Sequence, residues 1–293
     1  MRVSDLNIDR VYINSLSRSP SYNMAENHFH HYYECFYVRQ GSCRFFVNDS
    51  LCDLEARDML IIPPGTVHFN KYLTNSVRIN IYFKDEDLHR NGEPYFPELD
   101  NRLLRLVKIH VPSAYKEITE QSIDNMLAEE KMDDENTPVM MELLLKQFLL
   151  NLSRYGIFHY DQMTEPAGTS DSDKDILKAA KYISENYNEH ITLSSLAQMV
   201  GLTPSYFSRK FTQVTGTGMK EYLSYMRLDA AANQLRSTTH NITEIAMDCG
   251  FSDSNYFKDA FKKMYGVSPR TYRNERGHTD NILENSLKKH GLA

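Results

Sequence analysis

The chain has 293 residues, 41% hydrophobic and 25% charged, with a net charge of −6. That length exceeds most single cores and fits about two domains, and the composition excludes a disordered chain. No basic, apolar and small-residue leader opens the sequence; the most apolar run, MMELLLKQFLL (140–150), is broken by Glu142 and Lys146 and is too short to cross a bilayer.

Cys35, Cys43, Cys52 and Cys249 form no CxxC pair, which speaks against structural zinc and for reduced thiols in a cytoplasmic protein. The charge is uneven. Residues 174–276 hold 14 Lys+Arg against 10 Asp+Glu, leaving 19 against 29 in the rest. A basic module joined to an acidic one is expected, although its excess is modest.

Residues 8–83 read as short strands. FFVND (45–49), DMLIIPPG (58–65) and VRINIYF (77–83) are apolar or alternating runs separated by Gly41, Asn48-Asp49, Pro63-Pro64 and Gly65, the pattern of a sandwich or barrel. Ahead of them stands HFHHYYECFYVRQG (28–41). The spacing His28-x-His30-x3-Glu34-x6-Gly41 resembles the first cupin motif, and PPGTVH (63–68) resembles the second and adds His68. Two departures stand out: Arg57 where a glycine is usual and Tyr72 where an asparagine is usual. In metal-binding cupins the corresponding three histidines and glutamate surround one ion, and these donors suit iron, manganese, zinc or nickel. The same groups also serve as hydrogen-bonding walls of a pocket, and the residues alone leave both readings open.

From about residue 113 the period becomes helical. YKEITEQSIDNMLAEEKM (115–132) spaces Ile118, Ile123, Met126 and Leu127 along one face, and a second helix is expected from Pro138 to about residue 155. That second helix carries more apolar surface than one core face needs, which is read as packing beneath the strands or as a self-association face. DQMTEPAGTSDSD (161–173) is polar and aperiodic and reads as a linker.

After the linker the sequence repeats. SLAQMVGLTPSYFSRKFTQVTG (195–216) aligns with EIAMDCGFSDSNYFKDAFKKMYG (244–266). Each copy has a small residue where two helices cross (Ala197, Ala246) and a glycine to end the first helix (Gly201, Gly250). An expected N-cap follows (Thr203, Ser252), and then a phenylalanine pair at i,i+4 (Phe207 and Phe211, Phe257 and Phe261). The face opposite the phenylalanines is polar, as in a helix-turn-helix that presents its second helix to the major groove. KEYLSYMRLDAAANQLR (220–236) reads as one helix joining the copies, long enough to set two recognition helices about one DNA turn apart.

Residues 174–275 resemble the DNA-binding domain of the AraC/XylS family of bacterial transcription regulators, and ITEIAMDCGFSDSNYFKDAFKKMYGVSPRTYR (242–273) is close to that family's signature. The resemblance implies an α+β protein of two domains. The N-terminal one is a cupin-like β-barrel or sandwich with a helical segment; the C-terminal one is all-α with two helix-turn-helix motifs. The implied boundaries are a sensor domain at 1–95, a helical dimerisation or linking segment at 96–160, a linker at 161–173, the DNA-binding domain at 174–276 and a tail at 277–293. It places Ser205, Ser208 and Arg209 toward bases in the first recognition helix and Ser254, Asn255, Lys258 and Asp259 in the second. Arg209 suits guanine, Asn255 adenine, and Lys258 guanine or phosphate. Asp259 departs from the basic residue usual there. Arg227, Lys262, Lys263, Arg270 and Arg273 are read as phosphate neighbours or surface charge.

Regulators of this type often carry a similar His-x-His-x3-Glu run in the sensor without an established need for metal. The implied effector pocket is lined by His28, His30, Tyr32, Glu34, Arg44 and His68, and suits a sugar or other polar metabolite. No cofactor is assigned and no enzyme activity is expected. The implied partners are double-stranded promoter DNA, a small-molecule effector, a second copy in a homodimer, RNA polymerase for an activator, and no membrane. Two rivals remain open: a metal-dependent cupin isomerase or dioxygenase using His28, His30, Glu34 and His68, and a protein-binding adaptor that keeps the helical fold.

Overall fold

The computed structural model describes residues 10–21, 30, 32–47, 49–90, 93–94, 103–160, 166 and 169–274. The chain forms two compact units, Met1–Thr169 and Ser170–Ala293. Among the described residues no helix is long and apolar enough to cross a membrane.

Among the described residues the first unit has eleven strands: β1 (Tyr12–Arg18), β2 (Tyr33–Gln40), β3 (Ser42–Val47), β4 (Ser50–Glu55), β5 (Asp58–Ile62), β6 (His68–Tyr72), β7 (Ser76–Phe83), β8 (His89–Arg90), β9 (Glu93–Pro94), β10 (Val107–His110) and β11 (Ile157–His159). Six form a sheet in the order β1-β7-β2-β5-β10-β11, and three form a second sheet in the order β4-β3-β6. The short β8 and β9 pair with each other.

Alternation along β2 explains the layering. Cys35 and Tyr37 point one way, into a core with Ile61, Ile79 and Ile81. That core is completed by Ile123 and Met126 of α1 (Lys116–Met132) and by Met141, Leu145, Phe148, Leu149 and Leu152 of α2 (Thr137–Tyr155). Phe36 and Val38 point the other way and meet Cys43, Phe45, Cys52 and Leu54 of the smaller sheet. A strand buried on both faces therefore reads as a near-continuous apolar run, which is why YECFYV lacks clean alternation.

Two details of this unit refine the sequence reading. Ile118 is 41% exposed, so the inward face of α1 rests on Ile123 and Met126, with Leu127 partly buried beside them. The glycine that Arg57 replaces has a conformational meaning: Arg57 holds φ at 76°, in the left-handed region. It is pinned there by its own N–H donating to Val38 O (2.8 Å) and by its guanidinium donating to Ser113 Oγ (2.5 Å).

The second unit is helical: α3 (Asp171–Glu185), α4 (Leu193–Met199), α5 (Pro204–Thr215), α6 (Met219–Ser237), α7 (Ile242–Asp248) and α8 (Ser254–Tyr265). Residues 269–274 are helical as well. Helix α3 starts inside the 161–173 stretch because the Ser170 side chain accepts from Asp173 N, an N-cap in an otherwise linker-like composition.

Candidate nucleic-acid interface and buried histidine cluster

Both helix-turn-helix units close α4 and α7 by the same device. Gly201 N–H donates to Gln198 O and Leu202 N–H to Ala197 O; Gly250 N–H donates to Met247 O and Phe251 N–H to Ala246 O. This is the Schellman pair of bonds, with a left-handed glycine at φ 68° and 85°. Ala197 and Ala246 are fully buried where the helices meet. Thr203 caps α5 through Tyr206 N, as expected. The cap of α8 is Asp253, not Ser252: its carboxylate accepts from both Asn255 N and Tyr256 N. The extra residue in the second turn moves the cap one position along.

Phe207 and Phe211 of α5 and Phe257 and Phe261 of α8 are fully buried. Their opposite faces look out. Ser205, Ser208 and Arg209 are exposed, as are Asn255, Lys258 and Asp259, while Ser254 is half-buried at the first turn of α8. Among the described residues no hydrogen bond or ion pair engages the side chains of Arg209, Lys258 or Asp259. Counted from the caps, Ser205 corresponds to Asn255, Ser208 to Lys258 and Arg209 to Asp259. Tyr206 and Tyr256 also stand exposed on these faces, at 40% and 62%. The Tyr-Phe repeat signalled them, since a residue next to an inward phenylalanine is turned about 100° away from it.

The five outer cations divide. Lys262, Lys263 and Arg270 are exposed. Arg227 is a structural group instead: it donates to Tyr187 O (2.7 Å) and Glu189 O (2.8 Å) and lies 6.0 Å from the Phe251 ring centroid. Arg273 donates to His240 O (2.7 Å). Both sit where loops need carbonyl partners, a demand invisible in the sequence.

In the first unit, His30, Tyr32, Glu34 and His68 come together with little exposure (3, 6, 2 and 1%). Glu34 faces the second sheet from β2, and His68 faces the first from the start of β6. His30 Nε2 lies 2.9 Å and His68 Nε2 3.4 Å from Glu34 Oε2. Asn80 Nδ2 donates to Glu34 Oε1 and also to the Tyr82 hydroxyl (2.6 Å). Tyr32 stacks on the His30 ring with centroids 4.3 Å apart. Burial alone would raise Glu34, but the two histidines outweigh it and hold its carboxyl well below the usual range. Burial pushes His30 down, against the pull of Glu34.

Arg44 does not join this cluster. It alternates with inward Cys43 and Phe45, so it lies on the other face of its sheet, where its guanidinium grips Asp53 with two bonds of 2.6 and 2.8 Å. His28 lies outside the described residues. The donor atoms of His30, Glu34 and His68 all lie within 4.8 Å of one another, which is close enough to share one ion.

A helix-turn-helix domain model matches residues 196–275, and a cupin domain model matches 19–75. The chain is 23% identical over 265 residues to the HTH-type transcriptional activator RhaS of Enterobacter sp. (strain 638), covering 88% of this chain and 91% of that one. It is 26% identical over 264 residues to the HTH-type transcriptional activator RhaR of Yersinia pseudotuberculosis serotype O:3 (strain YPIII), covering 88% and 87%. Among solved structures, the C-terminal domain of AraT, a response regulator from Geobacillus stearothermophilus, is 37% identical over 35% of this chain and 85% of that one, with a TM-score of 0.34. The relatives matched along most of the chain are transcription factors, not enzymes.

Proposed function

Because the chain belongs to the AraC/XylS family of DNA-binding transcription regulators, we propose that it reads a bipartite promoter site with α5 and α8 in successive major grooves and answers to a small polar effector held in its cupin unit. The observation that carries the reading is the matched pair of outward faces, each fixed by a capped helix and two buried phenylalanines. Arg209 takes a guanine through O6 and N7, Asn255 an adenine, and Lys258 a guanine or a phosphate. Ser205, Ser208 and Ser254 supply shorter hydrogen bonds, and Asp259 accepts from a cytosine N4. Lys262, Lys263 and Arg270 serve the phosphates and so set register, not sequence. Helix α6, with 19 residues and about 28 Å of length, is the spacer between the two readers.

His30, Tyr32, Glu34 and His68 belong to the effector site of the cupin unit. Asn80 Oδ1, buried without a hydrogen-bond partner among the described residues, favours an effector that brings hydroxyl donors, such as a sugar. A homodimer uses the face of α2 that leaves Val139, Met140 and Leu143 exposed at 61, 41 and 57%. The protein works in the cytoplasm, and as an activator it would meet RNA polymerase there.

Selection of binding sites from random duplexes by the full-length protein tests the reading. The expected result is two half-motifs about ten base pairs apart, with affinity falling steeply as salt rises. An unenriched pool would overturn it in favour of a protein-binding adaptor.

A further inference from the structure

Strand β7 sorts its side chains by polarity. Ile79, Ile81 and Phe83 enter the core beneath the helices, so Arg78, Asn80 and Tyr82 face the opposite way, into the space between the two sheets. Neighbouring strands fill that space with Phe36, Val38, Leu60 and Ile62. A cation, an amide and a phenol in such company cost stability unless each finds partners. Arg78 is 9% exposed, and Asn80 and Tyr82 are less so.

Their partners are incomplete. A guanidinium carries five N–H donors. That of Arg78 donates to Asn14 Oδ1 (3.1 Å) on β1, lies beside Tyr82 and stands 5.9 Å from the Phe36 ring centroid. Among the described residues no carboxylate forms an ion pair with it. Glu34 acts on it through space, with its oxygens already engaged by His30 and Asn80. Two buried amide atoms also lack a hydrogen-bond partner among the described residues: Asn80 Oδ1 and, on β6 of the facing sheet, Asn70 Nδ2. Asn80 cannot turn its amide over to mend this, because Nδ2 is held by Glu34 and by the Tyr82 hydroxyl (2.6 Å). The Arg78 charge reaches Tyr72, two residues from Asn70 on the same face of β6.

We propose that Arg78, Asn80 and Asn70 bind the acidic end of a small hydroxy acid, such as a sugar acid, between the two sheets. The proposal rests on the reading of the first unit as an effector site and narrows the effector's chemistry. Donors on Arg78 and Asn70 call for anionic oxygens, and a planar carboxylate matches the guanidinium fork. The acceptor on Asn80, one pleat along β7, calls for a hydroxyl close to that carboxylate. Water would serve the amides but bring no charge to the guanidinium. A phosphate dianion would meet repulsion from Glu34 in the same interior, which favours a single negative charge. Strand β1 is the edge of its sheet, and Asn14 on it is half-buried, so Arg78 stands one strand in from that edge.

Thermal melting and calorimetric titration of the full-length protein test this with matched probes: glycolate against ethylene glycol, D-gluconate against D-glucitol, and D-galacturonate against D-galactose. At least one acid should bind and raise the melting temperature of the first unit while its neutral counterpart does not. Arg78→Met should weaken that binding about 10- to 100-fold. Arg78→Lys keeps the charge without the fork and should recover part of it. The wild-type comparison needs no variant, so it decides the matter even where Arg78→Met fails to fold. Three results would each overturn the proposal: no acid binds, an acid and its neutral counterpart bind alike, or Arg78→Met binds the acid as tightly as wild type. A neutral sugar that binds wild type and Arg78→Met equally would remove the acid and leave the effector reading standing. None of these readouts involves DNA, so the regulator reading is tested separately.

Discussion

The first helix-turn-helix caps its outer helix with Thr203 and the second with Asp253, and both rest on a buried alanine and a fully buried phenylalanine pair. Apart from the shared Tyr206 and Tyr256, their outer faces differ: Ser205, Ser208 and Arg209 on one, Asn255, Lys258 and Asp259 on the other. The inside is dictated by how two short helices cross, and the outside is left free to differ. Two copies of one scaffold therefore present two different surfaces. The copies also differ in how tightly they are embedded. A Cβ on Gly201 would meet nothing within 4 Å, whereas one on Gly250 would lie 2.8 Å from Asn188 O and 3.0 Å from Arg227 Nε.

Removing an anchor should have the largest effect. Phe211→Ala and Phe257→Ala each delete a fully buried ring and should cost about 3–5 kcal/mol of the second unit's stability. Denaturant unfolding of the full chain reads this as loss of the second unit's transition alone. If one substitution costs much less than the other, the two cores are not equivalent.

The two glycines should respond unequally. Gly201→Ala should cost only the left-handed conformation, about 1–2 kcal/mol. Gly250→Ala adds a clash with the Asn188 backbone, for a total of about 2–4 kcal/mol. Thermal melting of the two variants side by side measures the difference, and equal losses would mean that the second turn gives way freely.

On DNA the two faces should separate. Arg209→Ala should reduce preference for the selected site by about 1–3 kcal/mol and relax one base position. Lys263→Ala should weaken binding evenly across sequences and lower the salt slope. Titration against specific and scrambled duplexes at two salt concentrations distinguishes them. An Arg209→Ala protein that loses the same affinity for both duplexes would reduce Arg209 to a phosphate contact.

The scaffold of the second unit was legible in the sequence because its rules are local. Alanine at a crossing, glycine at a helix end and phenylalanine at i,i+4 each act within one turn. The Asp253 cap escaped because one inserted residue shifts the frame, and Asp253 outcompetes Ser252 by reaching two amides. Arg227 and Arg273 escaped because their carbonyl partners lie 33 to 40 residues away in the chain. In the first unit the convergence of His30, Glu34 and His68 followed from motif spacing. The placement of Arg44 did not, since its side of the sheet depends on register with Asp53, and a one-residue slip would reverse it.

The finest difference between the copies is that one cap titrates and the other does not. Asp253 is fully exposed, and the amides of Tyr256 and Asn255 hold its carboxyl below the usual range, with Lys258 nearby adding to the effect. A carboxyl lowered on folding contributes its stability above the unfolded value and loses it as the pH falls through the folded one. Acidification should therefore fray the first turn of α8 while α5, capped by the Thr203 hydroxyl, keeps its end. Amide hydrogen exchange at Asn255 and Tyr256, against Tyr206 as the internal control, follows this directly. Asp253→Asn retains a good cap without the titration and should flatten the response. A fraying of both helices at the same pH would mean that the caps are not what distinguishes them, and that acid acts instead through the shared core.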